Sequence, residues 1–189
     1  MTAAVVLAAG ASTRLGEPKQ LVTLGGETLL DRAVRTAREA GCSPVVVVLG
    51  ARHVEILGQS HLGDAVLAIN AKWAEGMASS IRLGLQMVST AAQDVGGVVL
   101  MACDQPAVTA AHLRALMASG ELTASAYAGR RGVPAYFPAS AFAGLMQLRG
   151  GLGARELLRD ANAIDLLGGE VDVDTVTDVN TAERLFGRS

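Results

Sequence analysis

Two cationic side chains lie in a loop of small residues that directly follows the first apolar run of the chain. Arg14 and Lys19 come after the segment Leu7-Ala8-Ala9-Gly10-Ala11-Ser12. Small residues let backbone N–H groups approach phosphate oxygens closely, and the two cations can neutralise a triphosphate. The loop therefore predicts a site for NTP phosphates. The alternative is an ordinary flexible connection between a strand and a helix.

Two familiar phosphate-binding motifs do not match this loop. A Walker loop needs lysine directly after its second glycine, but Gly16 is followed by Glu17, and Lys19 is followed by Gln20 instead of Ser or Thr. The dinucleotide fingerprint G-x-G-x-x-G has no match around Gly10. A nicotinamide-dependent oxidoreductase is therefore disfavoured, although it remains an alternative from a different class.

Three aspartates are candidate ligands of Mg²⁺. Asp104 follows an apolar run that predicts a strand, and ligands of open α/β sheets bind beyond the carboxyl ends of strands. Asp172 and Asp174 are two residues apart, so on a strand both side chains would emerge on one face, and either could share the metal. The alternatives are a turn-forming role for Asp104 and a solvated strand edge for the other two.

A third segment with polar groups runs from Gly76 to Ile81 and contains Ser79 and Ser80. Hydroxyl groups and free amides at the start of a helix can bind a base or a phosphate. The alternative is that both serines only cap the helix.

The elements that carry these residues alternate between apolar runs and amphipathic segments. Strands are predicted at 5–8, 44–50, 65–69, 97–103, 125–128, 133–137 and near 171–173. Helices are predicted at 28–40, from Met77 through Val88, at 109–118, 139–146 and 154–160, and from a capping-box pair Asn180 and Glu183 onward. This alternation predicts an α/β fold with a mostly parallel central sheet and helices on both faces.

Composition limits the function classes. The chain has 189 residues, is 50% hydrophobic and carries a net charge of −2, which predicts one folded domain over 1–189. Basic residues form no run, which argues against a nucleic-acid partner, and no apolar stretch is long enough to span a bilayer. Cys42 and Cys103 lack metal-ligand spacing and are interpreted as reduced thiols of a cytoplasmic protein.

Together these segments resemble the MobA-like NTP transferases, in particular the molybdenum-cofactor cytidylyltransferase branch. The matching pieces are LAAGASTRLGEPK at 7–19, NAKWAEGMASSIRLGL at 70–85, CDQP at 103–106, GRRGVPAYF at 129–137, LRGGLGARELL at 148–158 and VDVDTVTDV at 171–179. The resemblance covers nearly the whole chain, in the same order. It implies a Rossmann-like nucleotidyltransferase fold.

The resemblance also implies roles for individual residues. Arg14 and Lys19 would bind the triphosphate, Ser80 would lie near the base, and Asp104 with Asp172 or Asp174 would hold Mg²⁺. The acceptor, a pterin, would face a set of residues from two late loops, namely Gly132, Pro134, Gly153 and Arg155. The implied partners are CTP, the phosphorylated acceptor and a molybdoenzyme or its chaperone.

Two positions bear on specificity within the resemblance. Ala9 stands where guanylyl-transferring relatives have a second glycine, which favours CTP over GTP. Gly151 stands where the family pattern L-x-G-D-x-G-A-R has aspartate, so the chain departs from the family in the loop that the resemblance assigns to the acceptor. Other acceptors, such as a sugar phosphate or an alcohol phosphate, and a nucleotide-binding accessory protein without catalysis remain alternatives.

Overall fold

The computed structural model describes residues 1–151 and 153–187. Its strands are β1 (Thr2–Ala8), β2 (Thr23–Leu24), β3 (Glu27–Thr28), β4 (Val45–Leu49), β5 (Val66–Ile69), β6 (Gly97–Ala102), β7 (Thr123–Tyr127), β8 (Arg130–Pro138) and β9 (Asn162–Asp165). Its α-helices are α1 (Leu29–Glu39), α2 (His53–Leu57), α3 (Met77–Ala91), α4 (Ala110–Ala118), α5 (Phe142–Gln147) and α6 (Val176–Phe186). Short 3₁₀ helices lie at Lys19–Leu21, Trp73–Glu75 and Ala139–Ala141.

Seven strands form one sheet in the order β5-β4-β1-β6-β8-β7-β9. The strands β5, β4, β1 and β6 are parallel to one another, and β9 is parallel to β7. Only β8 runs antiparallel to its neighbours β6 and β7. The predicted mostly parallel sheet is confirmed.

Helices cover both faces of this sheet, because its central strands are apolar on both faces. One core packs α1 and α4 against alternate residues of β1, such as Ala4 and Val6. The other core packs α3 and α5 against the residues between them, such as Val5 and Leu7. At Gly84, an added Cβ would lie 2.5 Å from a methyl group of Val5, so α3 lies close against the sheet.

The last part of the chain differs from the sequence predictions in three places. Residues 154–160 form a series of turns, since the N–H of Leu157 bonds to the carbonyl of Ala154, at 3.0 Å, instead of to residue 153 as in an α-helix. The predicted strand near 171–173 is irregular chain outside the sheet, and the N–H of Val173 bonds to the carbonyl of Asp104, in the loop after β6, at 3.0 Å. A strand lies instead at β9 (Asn162–Asp165), whose mostly exposed residues have no apolar run that would reveal it.

The final helix also begins earlier than its predicted capping pair. The capping box is formed by Thr175 and Asp178, whose side chains bond to each other's backbone N–H groups at 2.8 Å and 3.3 Å. Asn180 and Glu183 lie inside α6. Their spacing matches a capping box, but the chain upstream already holds a stronger helix start. No helix within 1–151 and 153–187 combines the length and the apolar character that crossing a bilayer requires.

Candidate active site

The cationic loop and Asp104 lie at the same edge of the sheet because β1 and β6 are parallel neighbours. Leu7 pairs with Ala102, so the residues that follow both strands emerge side by side. The loop after β1 carries Arg14 and Lys19, and the loop after β6 carries Asp104. This is the sheet edge at which ligands of open α/β folds bind.

The ammonium group of Lys19 joins two carboxylates that are far apart in the sequence. Its Nζ lies 2.5 Å from an oxygen of Asp104 and 2.9 Å from an oxygen of Asp174. Arg14 reaches the other oxygen of Asp174 at 2.6 Å, but its side chain is 70% exposed, against 18% for Lys19. Lys19 therefore lies at the centre of the cluster, and Arg14 lies at its rim.

Charge pairing dominates the protonation behaviour of this cluster. Burial by itself lowers the pKa of Lys19, but Asp104 and Asp174 outweigh it and hold the pKa above the usual lysine range. Burial by itself raises the pKa of Asp174, but Lys19 and Arg14 outweigh it and hold that pKa below its usual range. Both groups therefore remain charged at neutral pH, as binding of a metal–triphosphate requires.

A buried glutamine fixes the shape of the loop. Gln20 is fully buried, and its Nε2 donates to the carbonyl of Ala8 at 2.7 Å and to that of Gly10 at 3.2 Å. The backbone N–H of Lys19 donates to the hydroxyl of Ser12 at 3.0 Å. These bonds hold the loop as a defined turn, which argues against the flexible connection that was the alternative.

A cavity of about 320 Å³ opens beside this loop. Such a volume falls in the usual range of small-molecule sites. Its walls include most of the residues predicted to bind the nucleotide, namely Leu7, Ala8, Ala9, Gly10, Lys19, Gly76 and Ser80. Trp73, the single tryptophan of the chain, also lines it. We call this space the loop-side cavity.

The two serines of α3 have different surroundings. Asn70, which directly follows β5, donates through Nδ2 to the hydroxyl of Ser79 at 2.8 Å and to that of Ser80 at 2.9 Å. Ser79 bonds back to the carbonyls of Lys72 and Gly76 and does not line the cavity. Ser80 lines the cavity, and because its oxygen already accepts from Asn70, its O–H proton is available to a ligand.

Replacing Asn70 with alanine should therefore weaken both the fold and nucleotide binding. Two buried hydroxyls would lose their common donor, so we expect the free energy of unfolding to fall by about 1–3 kcal/mol. The dissociation constant of the NTP should rise, because Ser80 would no longer be held in one orientation. Urea denaturation and quenching of Trp73 fluorescence measure the two effects. Unchanged NTP affinity in a destabilised variant would limit Asn70 to a structural role.

A second cavity of about 310 Å³ lies on the other side of Asp104. The two cavities share four lining residues, namely Met77, Ala102, Asp104 and Gly151. Among the residues predicted to face the acceptor, Gly132 and Arg155 line this acceptor-side cavity. Pro134 and Gly153 do not line it. Pro134 is buried in β8, and Gly153 packs so closely on Met77 that an added Cβ would lie 2.7 Å from its sulfur.

The tertiary structure separates the two late aspartates, which the sequence could not tell apart. Asp174 shares Lys19 with Asp104, whereas Asp172 lines the acceptor-side cavity 3.9 Å from Arg130. Burial, and then the negative charge of Asp104, raise the pKa of Asp172 to about 6. The geometry therefore favours Asp174 as the partner of Asp104 in holding a cation.

The protein-family comparison matches this architecture. Residues 4–165 match the model of the MobA-like NTP transferase domain, a range that runs from within β1 to the end of β9. The chain belongs to the MobA-like NTP transferase family. The predicted family and its α/β nucleotidyltransferase fold are thereby confirmed.

Relatives of this MobA-like chain carry several names. It is 32% identical to the nicotine blue oxidoreductase of Paenarthrobacter nicotinovorans, over 96% of this chain and 93% of that protein. It is 36% identical to a probable molybdenum cofactor guanylyltransferase of Opitutus terrae, over 58% of this chain and 50% of that protein. The crystal structure of Rv0371c from Mycobacterium tuberculosis superimposes with a TM-score of 0.81 and 31% identity, over 97% of this chain and 98% of that chain.

The carboxylates of this MobA-like site suit a divalent cation that arrives with a nucleotide. No group of three His, Cys, Asp or Glu side chains within the described ranges could hold a metal by itself. Asp104 and Asp174 are instead two oxygen ligands converging on one ammonium, and Mg²⁺ characteristically takes one or two carboxylates plus phosphates and waters. The structure of Rv0371c has also been solved with manganese.

Several residues of this candidate site could not be identified from the sequence. Gln20 and Asn70 support the loop and Ser80 through hydrogen bonds, and neither type is distinctive in a sequence. For Asn70, its position directly after a predicted strand is the feature of the sequence that indicates a role in the site. Arg130 and Tyr127 line the acceptor-side cavity because β7 and β8 form a hairpin that brings them beside Asp172.

Proposed function

We propose that this protein transfers CMP from CTP to a terminal phosphate of a small acceptor, a molybdenum-cofactor pterin, and releases pyrophosphate. The observation that carries the proposal is the position of Asp104, which lines both of two adjoining cavities of suitable size and is joined through Lys19 to Asp174. One cavity has the small-residue loop of a triphosphate site. The other is lined by arginines that suit an anionic acceptor.

The reaction would be an in-line displacement at the α-phosphorus of CTP. An oxygen of the acceptor phosphate forms a bond to the α-phosphorus as the bond to the α,β-bridging oxygen breaks, and pyrophosphate leaves with that electron pair. The nucleophile is already anionic near neutral pH, so no general base is needed. The protein must align two polyanions and reduce their repulsion.

The described residues divide this work between them. Lys19 neutralises the phosphates of CTP, and Arg14 adds a second positive charge from the rim of the site. Asp104 and Asp174 would hold Mg²⁺, which when bound supplies charge neutralisation of the triphosphate. The hydroxyl of Ser80 would donate to the base. Ala9 lines the same cavity, and its methyl group leaves less room for a purine than glycine would, which supports CTP over GTP.

A second candidate function has an observation of its own in its favour. The relative that is 32% identical over 96% of this chain is named as an oxidoreductase. In that case the loop-side cavity would bind one half of a nicotinamide dinucleotide, and the substrate would occupy the acceptor-side cavity. The chain lacks the G-x-G-x-x-G fingerprint, which makes this the weaker candidate.

Two measurements separate the candidates. First, quenching of Trp73 fluorescence is titrated with CTP, GTP, ATP and UTP in the presence of Mg²⁺, and with an oxidised nicotinamide dinucleotide. Second, pyrophosphate release is screened for each NTP with pterin, sugar and alcohol phosphates. We expect CTP to bind tightest and to release pyrophosphate with a pterin phosphate. Binding of the dinucleotide with no pyrophosphate release from any combination would overturn the proposal.

A further inference from the structure

A third cavity, of about 390 Å³, continues outward from the acceptor-side cavity. Four arginines and one glutamate line it, namely Arg130, Arg131, Arg155, Arg159 and Glu156. The first three arginines also line the acceptor-side cavity, so the two spaces adjoin. Arg159 lines only the outer space. We call this space the arginine cavity.

The positive charges of the arginine cavity are weakly compensated. The guanidinium groups of Arg155 and Arg159 have no hydrogen bond and no ion pair with any residue in 1–151 or 153–187. Arg131 donates to the backbone carbonyl of Arg159 at 2.9 Å, which orients it without neutralising it. Arg130 lies over the ring of Tyr127, 5.3 Å from its centroid, and is 3.9 Å from Asp172.

Three other arginines of the surface are paired with carboxylates, whereas Arg184 stands alone and lies far along the chain from any other arginine in the described ranges. Arg35 bonds to Glu27 and Glu39, Arg52 bonds to Glu55, and Arg38 bonds to Asp64. The chain as a whole carries a net charge of −2. A group of four guanidiniums beside one carboxylate is therefore a local feature and does not reflect a basic surface. Its charges repel one another, and a bound anion would remove that repulsion.

The chemistry of these groups specifies the ligand. Guanidinium groups bind phosphate and carboxylate oxygens through pairs of parallel hydrogen bonds, and several together suit a group with more than one negative charge. The arginine cavity lies beyond the acceptor-side cavity, so this anion is not the phosphate that reacts beside Asp104.

We infer that Arg131, Arg155 and Arg159 bind a second anionic group of the acceptor, remote from the reacting phosphate. This inference rests on the proposed function, since it places the reacting phosphate in the acceptor-side cavity. The acceptor accordingly carries this second anionic group on a part of the molecule that lies away from the reacting phosphate. Lys19 holds the phosphates of CTP and the arginine cavity holds the acceptor, so that the acceptor phosphate faces the α-phosphorus.

The test replaces Arg159 with glutamine and measures binding of inorganic phosphate. With CTP and Mg²⁺ occupying the loop-side cavity, phosphate is titrated by NMR of the arginine Nε–H groups in ¹⁵N-labelled protein. We expect the phosphate dissociation constant to rise about five- to tenfold in Arg159→Gln. The matched control is Arg184→Gln, an exposed arginine of α6 without an ion pair in the described ranges, and it should change the constant less than twofold.

A kinetic measurement complements the binding experiment once an acceptor has been found. Arg159→Gln should raise the KM of the acceptor about tenfold and leave the KM of CTP unchanged, because Arg159 lines neither cavity beside Asp104. Unchanged phosphate binding in Arg159→Gln, in a protein that still releases pyrophosphate from CTP, would overturn the anion site alone. If no pyrophosphate is released, the proposed function is overturned. The titration with inorganic phosphate still tests the anion site at Arg159 on its own.

Discussion

Replacing Asp104 with asparagine should lower pyrophosphate release at least about 10²-fold while the fold persists. The carboxylate lies at the junction of the two cavities, and asparagine keeps its shape but removes the charge that a cation and Lys19 require. Lys19 retains its contact with Asp174 in this variant, so no buried charge is left alone. We expect the free energy of unfolding to fall by no more than about 1–2 kcal/mol.

The matched control for this experiment is Asp94→Asn. Asp94 is exposed, and its φ of 57° is a conformation that asparagine tolerates well. The control should keep full turnover and stability. Turnover is measured as pyrophosphate release at saturating CTP and Mg²⁺, and stability by urea denaturation. Near-normal turnover in Asp104→Asn would remove this carboxylate from the reaction.

Replacing Lys19 with methionine should change nucleotide affinity and metal affinity in opposite directions. Loss of the ammonium should weaken CTP binding about 10- to 100-fold, since charge-assisted bonds to the phosphates disappear. In the absence of nucleotide, however, Asp104 and Asp174 would lose the cation that now lies between them, and Asp174 would keep only Arg14. Binding of Mn²⁺ alone should therefore tighten, by about tenfold if the lost repulsion is near 1.4 kcal/mol.

Electron paramagnetic resonance of free Mn²⁺ measures the metal affinity, and Trp73 fluorescence measures the CTP affinity. Lys72→Met is the matched control, because Lys72 is the only other lysine of the chain and does not line either cavity. Both affinities should stay within twofold in the control. Weaker Mn²⁺ binding in Lys19→Met would contradict a cation site formed by Asp104 and Asp174.

Local patterns in the sequence predict much of the fold. The strands β1, β4 and β6 are apolar on both faces, and that pattern alone indicates a parallel sheet covered by helices. The same patterns place the cationic loop after β1 and Asp104 after β6. Because parallel strands present their carboxyl ends at one edge, the meeting of Lys19 and Asp104 follows from the sequence once the two strands are neighbours.

The late elements could not be predicted in the same way. The strand β9 is formed by backbone pairing with β7. Its side chains are mostly exposed, so they do not show the alternation of apolar and polar residues that indicates a strand. The apolar side chains around Val173 pack against α6 and not within the sheet. Burial alone does not distinguish those two arrangements.

The sequence by itself determined the parallel strands of the central sheet, the cationic loop after β1 and the carboxylate at the end of β6, because each depends on residues close together in the chain. Only the tertiary structure brings Asp174, and not Asp172, to Lys19, since Lys19 and Asp174 are 155 residues apart and meet through the path of the chain after β9. It also gathered Arg131 and Arg159 around one cavity. Such contacts depend on loop geometry over long separations, which no local pattern of residue types encodes.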